Sequence, residues 1–523
     1  MRCFKNSITH HASSVMRTVV AFVVIAGSLG ILRAGSNPSD AKAELELTSS
    51  DADLVKGFAW AKKQALAYVF EGDPVGPWYE AALPGRMAFC MRDTAHQANG
   101  AQALGLARHT KNMLHRFAEN ISESRDWCSY WEIDRLNRAA PADYKDDKDF
   151  WYNLPANFDV LDCCYRMYLW TGDAAYLNDP AFLNFYDRTV NEYVQRWDLG
   201  LDRIMQRRRA MNQTPAKDST LKFRGARGIP GYDEGDSPYC ASLDLLGTQY
   251  AAYQAYAQIQ DLRGSHDRAR QFRKKATGVR ALVNTTWWNP QGGYFHATAL
   301  GPGSFEGRGG LDPLYYGIVN EGPQAKGAVD ELVAAIRKDP SSESVEGQSH
   351  QAEVLYRCGL PDLASQQLLD LTQERRSRQE YPEVSFSVVG AIVTGLMGIE
   401  VVPTSPFSVL RREAPAPVAV RTLPALGKLG WVELRHLPVR DNQIGLRHEA
   451  GRSSTFHNER GPDLTWEAAF EGRHQVLRVN GKAQKARLER GPLGRTMSVV
   501  RLQVRAGGTA TVALLKAPSP TGR

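Results

Sequence analysis

The chain has 523 residues, 43% hydrophobic and 23% charged, a balance typical of globular proteins with a sizeable core and foreign to disordered chains. At about 100–200 residues per domain, that length implies two to four units, or one large ring of helices with a small companion. The formal charge of +7 falls to +3 outside the first 43 residues, where Arg2, Lys5, Arg17, Arg33 and Lys42 face Asp40; with no basic cluster, nothing marks nucleic acid as a partner.

Residues 1–43 read as an export signal: "TVVAFVVIAGSLGIL" (18 to 32) follows Arg17, and "AKA" (41 to 43) offers a cleavage site. A periplasmic or secreted location is expected, with membrane contact only through an uncleaved signal. The apolar run is shorter than the roughly 20 residues of a confident span. Beyond the signal lie Cys90, Cys128, Cys163, Cys164, Cys240 and Cys358, with no C-x-x-C pair. A metal site is therefore unsupported, no cofactor is expected, and the thiols read mostly as buried apolar groups, with one bridge possible.

From about 50 to 400, apolar residues recur every three or four positions in about ten to twelve helices. "TGD" (171 to 173) and "CGLPD" (358 to 362) separate consecutive helices into hairpins. In "GRMAFCMRDTAHQANGAQALGL" (85 to 106), Asp93, His96, Gln97 and Gly100 share one face, while alanines and glycines allow neighbouring helices close. Arg92 and Asp93 suit a sugar, a guanidinium donating and a carboxylate accepting; the plainer alternative is an internal salt bridge beside a solvated histidine. The run "DYKDDKDF" (143 to 150) reads as a solvated charged loop.

Three later loops gather polar groups. "GYDEGDSPYC" (231 to 240) brings Tyr232, Asp233, Glu234 and Asp236 together before a helix, and such crowded carboxyls make one a natural proton donor if water is excluded. "ESVEGQSHQAE" (343 to 353) presents Glu346, Gln348, His350 and Glu353 around a helix start. "RQEYPEVSFSVVGAIVTGLMGIE" (378 to 400) places Glu380 and Glu383 before an apolar helix, where they also complement its dipole. Trp78, Tyr79, Trp127, Tyr130, Trp131, Trp151, Tyr152, Trp287, Trp288, Tyr315 and Tyr316 interleave with these loops. Most belong to a core; those left to line a groove would stack on pyranose rings.

After Pro403 the period changes to alternation in "WVELRHL", "NQIGLRHE", "SSTFHNE", "LTWEAAF", "QVLRVNG", "SVVRLQV" and "TATVALL", with Asn480-Gly481 as a turn. Seven short strands suggest an antiparallel β-sandwich, with "REAPAPVAVRTLPALG" (412 to 427) as its linker.

The order of "MRDTAHQ", "YLWTGDAAYL" (168 to 177), "ARQFRKKATGVRALVNTTWWNPQGGYF" (269 to 295) and "SFSVVGAIVTGLMGI" resembles the six-hairpin glycoside hydrolases. The resemblance implies a mainly α protein with an (α/α)6 toroid over 44–403, followed by the β-sandwich over 404–523. It also implies that Arg92 and Asp93 hold the sugar, that Asp233, Glu234 or Asp236 is the general acid, and that Glu380 or Glu383 is the base. His96, Trp151, Tyr232, Gln348 and His350 complete the expected substrate-binding set. The C-terminal end is similar to α-L-rhamnosidases, whose "CPQRDER"-like run is absent; the "WxRGxGW" segment of unsaturated glucuronyl hydrolases is absent too. The expected activity is hydrolysis of an oligosaccharide or polysaccharide by two carboxyl groups. Its rivals are a polysaccharide lyase using Tyr232, His350 or His96, and a non-catalytic glycan binder.

Overall fold

The computed structural model describes residues 44–83, 85–207, 227–233, 239–338, 345–373, 381–404 and 417–515. The expected export signal lies outside the described residues, and from residue 44 onward the chain is one compact unit.

Helices follow in chain order as α1 (Ala52–Ala67), α2 (Met91–Ala103), α3 (Ala107–Glu119), α4 (Pro155–Thr171), α5 (Pro180–Arg188), α6 (Leu243–Leu262), α7 (His266–Leu282), α8 (Leu311–Tyr315), α9 (Pro323–Lys338), α10 (Val345–Arg357), α11 (Pro361–Leu371) and α12 (Pro382–Gly390). The even-numbered helices touch in a closed cycle, α2 to α4, α6, α8, α10, α12 and back to α2. Around them pack α1 on α12, α3 on α2 and α4, α7 on α6, α9 on α8 and α11 on α10, while α5 lies against α3. Composition explains the division. Every residue of α12 is buried, whereas the charged α7 buries only Ala269, Phe272, Ala276 and Val279. Gly172 (φ 69°) and Gly359 (φ 78°) take the left-handed conformation just after α4 and α10, where the sequence placed its hairpin breaks.

The small residues of α2 do close the ring. A Cβ on Gly100 would lie 2.0 Å from the carbonyl oxygen of Phe386 on α12, a contact that only backbone movement relieves. Gly100→Ala is therefore expected to cost about 1–3 kcal/mol or more, read as a lowered denaturation midpoint in urea.

Two large sheets, beside several of two or three short strands, complete the unit. The strands are β1 (Glu46–Ser49), β2 (Ala88–Cys90), β3 (Glu132–Asp134), β4 (Tyr152–Asn153), β5 (Arg227–Ile229), β6 (Ile399–Pro403), β7 (Val418–Thr422), β8 (Trp431–Val439), β9 (Asn442–Glu449), β10 (Ser453–Arg460), β11 (Leu464–Glu471), β12 (Val476–Val479), β13 (Lys482–Lys485), β14 (Arg487–Arg490), β15 (Thr496–Val504) and β16 (Thr509–Leu514). One sheet runs β1-β8-β9-β10-β16-β12-β13, antiparallel throughout; the other runs β6-β7-β11-β15-β14. Two expectations are corrected here. Strand β7 lies inside the supposed linker, and it pairs parallel with β11, so the second sheet is mixed rather than antiparallel. The strand β1 precedes the first helix yet pairs with β8. Asn480 (φ 47°) and Gly481 (φ 83°) form the expected two-residue turn between β12 and β13.

The sheets sit on the C-terminal ends of the inner helices. Gln102 of α2 donates to the Pro438 carbonyl (3.4 Å), the Arg440 N–H to the Trp170 carbonyl of α4 (2.7 Å), and Arg495 to the Arg357 carbonyl of α10 (2.5 Å). The opposite, N-terminal ends of the ring remain available for a site.

Candidate functional site

A cavity of about 840 Å³ opens at those N-terminal ends. Arg92 and Asp93 reach it from the first turn of α2, and Glu346 from the first turn of α10. Pro382 starts α12 and fixes Tyr381 and Glu383 at its entrance. Helix N-termini carry partial positive charge, so carboxylates there are electrostatically favoured. Pairing of β2 with β3 sets Cys90 opposite Glu132 and brings that glutamate beside the start of α2. Pairing of β4 with β5 aims the 231 to 233 loop inward; Asn153 donates to the carbonyls of Gly231 and Asp233, and the Tyr232 N–H donates to Asp244.

One wall is aromatic. Trp131 and Trp151 meet edge to face with ring centroids 4.5 Å apart, and Tyr232 lies 6.2 Å from Trp131. Tyr144 and Phe150 extend this wall. The floor is ionic. Arg92 Nε donates to Asp93 Oδ1 at 3.1 Å and its Nη2 lies 3.8 Å from Glu383 Oε2, so one guanidinium spans two carboxylates from opposite ends of the sequence. Tyr381 donates to Asp93 Oδ2 at 2.9 Å. Behind them, His350 Nε2 lies 3.1 Å from Glu383 Oε1; His96 sits 3.5 Å from Glu383 and 3.4 Å from Asp159, which accepts from Tyr232.

These surroundings separate the protonation states. Burial and the Glu383 charge raise the Asp93 carboxyl to about 6 against the pull of Arg92 and Tyr381. Burial would also raise Glu383, but His350, His96 and Arg92 hold it well below the usual carboxylate range. Burial alone would lower His96; its bonds to Asp159 and Glu383 win, and it is raised to about 9. At 3.4 and 3.5 Å these contacts are long, and we read them as charge attraction rather than as good hydrogen bonds. Burial and the His96 charge keep His350 low. The facing atoms of His96, His350 and Glu383 lie within 4.8 Å of one another, close enough to hold a cation, although Arg92 and His96 already supply positive charge there.

Of the residues singled out from the sequence, Arg92, Asp93, Trp151, Tyr232 and Asp233 line the cavity, and Tyr239 donates to Asp233 at 3.1 Å. His96, His350 and the fully buried Glu383 stand directly behind the floor. Gln348 is buried in α10 and is not among the lining residues. Glu234, Asp236 and Glu380 lie outside the described residues. The "DYKDDKDF" segment is not merely a solvated loop: Asp143, Tyr144, Lys145, Asp149 and Phe150 line the cavity, and Tyr144 pairs with Phe150 in a short antiparallel ladder. Sequence reasoning also missed Arg86, Glu132, Asp159 and Tyr381. The visible signal for Glu132 was one acidic residue inside the otherwise aromatic and apolar run "YWEI". Among the described residues Cys90, Cys128, Cys163, Cys164, Cys240 and Cys358 are free, all but Cys358 buried.

No protein-family model matches the sequence, and no curated protein is similar to it. Solved structures are similar. An α-L-rhamnosidase from Dictyoglumus thermophilum matches with a TM-score of 0.56 at 12% identity, over 91% of this chain and 51% of its own. A putative kojibiose phosphorylase from human microbiome matches with a TM-score of 0.50 at 9% identity, over 88% of this chain and 60% of its own. A GH78 family rhamnosidase of Bacillus sp. GL1 matches with a TM-score of 0.50 at 14% identity, over 78% and 41%. This chain thus spans 41–60% of the length of these proteins. They are six-hairpin, glycosidase-like enzymes, and at such identities the likeness is one of fold.

Proposed function

We propose that the protein is an exported glycoside hydrolase, its helical ring an (α/α)6 toroid and its two sheets a C-terminal sandwich. The observation that supports this most is the convergence of sequence-distant acids on one sugar-sized hollow: Asp93, Glu132, Asp143, Asp233 and Glu346 line it, and Glu383 stands behind. Hydrolysis of a glycosidic bond needs one carboxylate that stays ionised and one carboxyl that keeps its proton. Glu383 fits the first need. Its Oε2 is buried without a hydrogen-bond partner and is the acceptor left for the proton of an attacking water. Arg92 and Asp93 hold sugar hydroxyls, and the Trp131–Trp151 wall stacks on a pyranose face. The likeness to rhamnosidases points to a deoxy-sugar glycoside as the first substrate to try.

A lyase acting on a uronate is disfavoured. Asp93, Glu132, Asp143, Asp149, Asp233 and Glu346 outnumber Arg86, Arg92 and Lys145 in the lining, and would repel a substrate carboxylate.

The test is a panel of aryl glycosides, rhamnosides included, and oligosaccharides, assayed with and without inorganic phosphate. Release of free sugar without phosphate supports the proposal. Turnover only with phosphate makes the protein a phosphorylase, an unsaturated product makes it a lyase, and binding without turnover makes it a glycan receptor. Activity should fall as pH drops through about 6, because Asp93 then takes up a proton and stops accepting from the sugar. A kcat/KM profile flat from pH 5 to 7 would contradict this role.

A further inference from the structure

We propose that Glu132, sharing a proton with Asp143, is the acid that protonates the departing glycosidic oxygen. The inference rests on the hydrolase reading and assigns the one role that reading leaves open. Glu132 lies on β3, and its side chain is 1% exposed yet lines the cavity. Arg86 Nη2 stands 3.1 Å from Glu132 Oε2 and 3.5 Å from Asp143 Oδ2, so the two carboxyl groups gather at a single guanidinium nitrogen. Both Glu132 oxygens and Asp143 Oδ2 are buried, and none takes part in a hydrogen bond to a protein donor. Two bare carboxylates so placed would repel; with one proton between them, each satisfies the other. Burial and the neighbouring Asp143 push the Glu132 carboxyl up to about 9, the nearby Asp93 charge adding to this and Arg86 opposing it.

Two other described carboxyl groups of the lining, Asp93 and Asp233, are already engaged. Asp93 accepts from Arg92 on one oxygen and from Tyr381 on the other, contacts that favour its ionised form. Asp233 accepts from Tyr239. Glu132, by contrast, is a buried carboxyl of the lining whose proton is retained and whose oxygens take part in no hydrogen bond, Arg86 standing beside it as an ion-pair partner.

The step balances. As the bond from the anomeric carbon to the glycosidic oxygen breaks, Glu132 delivers its proton to that oxygen and the leaving group departs as an alcohol. Water adds to the anomeric carbon and passes a proton to Glu383. Exchange with solvent then reprotonates the Glu132–Asp143 pair and deprotonates Glu383.

Acid assistance matters in proportion to how poor the leaving group is, and this separates the role from a structural one. Glu132→Gln is expected to lower kcat/KM by about 10²–10⁴-fold for a disaccharide, but by about tenfold or less for a dinitrophenyl glycoside, whose leaving group needs no proton. The wild-type profile for the disaccharide should fall as pH rises through about 9, where Glu132 loses its proton. The variant should lose that limb with the activated substrate. Asp143→Asn, which keeps a donor beside Glu132, should shift the limb rather than abolish activity. Independently of turnover, an infrared difference spectrum at pH 7 between wild type and Glu132→Gln should show a protonated carboxyl band in the wild type. Equal losses on both substrates, an unchanged profile, or no such band would overturn the assignment. A band without hydrolysis of any substrate would overturn the hydrolase reading, and the donor role with it, while leaving the shared proton.

Discussion

Replacing Glu383 by glutamine is expected to lower kcat/KM by about 10²–10⁴-fold on every glycoside the protein hydrolyses, activated or not, while leaving it folded. A base acts on the attacking water, so its loss does not depend on the leaving group, the reverse of the pattern for Glu132. The substitution is nearly isosteric and keeps a partner for His350, now 3.1 Å from Oε1. It removes a buried negative charge but strands neither cation: Arg92 retains Asp93 at 3.1 Å, and His96 retains Asp159 at 3.4 Å. The stability cost should therefore stay near about 1–3 kcal/mol, that of one imperfectly satisfied polar group. The His96 imidazole, raised to about 9 with help from Glu383, should titrate lower in the variant, which NMR of the ring protons can follow. A folded Glu383→Gln protein with wild-type rates on all substrates would remove Glu383 from the chemistry. Loss confined to poor leaving groups would instead make Glu383 the acid and reverse the two assignments.

Much of this architecture was legible because local patterns report on burial. Strands β8 and β10 alternate between buried and more exposed positions, since one face is covered and the other wetter, and the Asn480-Gly481 turn announces itself by composition. Strand β7 was not legible: "VAVRT" is short, flanked by prolines, and its partners lie at residues 399–403 and 464–471. The four residues of β1 carry no signal for a partner near residue 433. The same distinction governs the site. Arg92 and Asp93 stood out because helical spacing collects polar residues on one face, and Glu383 because it opens an apolar helix. Glu132 and Asp143 could not be placed, because strand register and the path of a charged loop decide where they point. The acidic loop read as the proton donor supplies Asp233 to the cavity, its Glu234 and Asp236 lying outside the described residues, and the acid we propose instead is a carboxyl that no spacing rule singled out.

Arg92 is the position where stability and chemistry are most tightly joined. Arg92→Met keeps the length and apolar stem of the side chain but removes the charge lying 3.1 Å from Asp93 and 3.8 Å from Glu383, carboxylates that are 2% and 0% exposed. Breaking a buried ion pair from one side typically costs about 3–5 kcal/mol, because the remaining charge is left unpaired. Here the cost must depend on pH. Without the guanidinium, Asp93 should rise above its value of about 6, and Glu383 should rise from its depressed position. A carboxyl whose folded pKa is raised above its unfolded value destabilises the native state as pH climbs past the unfolded value, and the penalty disappears once both states are protonated. Urea unfolding should thus show a large deficit for Arg92→Met at pH 8 and a smaller one at pH 5. Activity should move the same way: the acid limb that the wild type shows near 6 should shift toward neutrality, since Asp93 now needs a higher pH to ionise. A variant equally destabilised at both pH values, with its acid limb unmoved, would mean that Arg92 acts through packing alone. The two carboxylates would then not be the electrostatic unit on which the proposed mechanism depends.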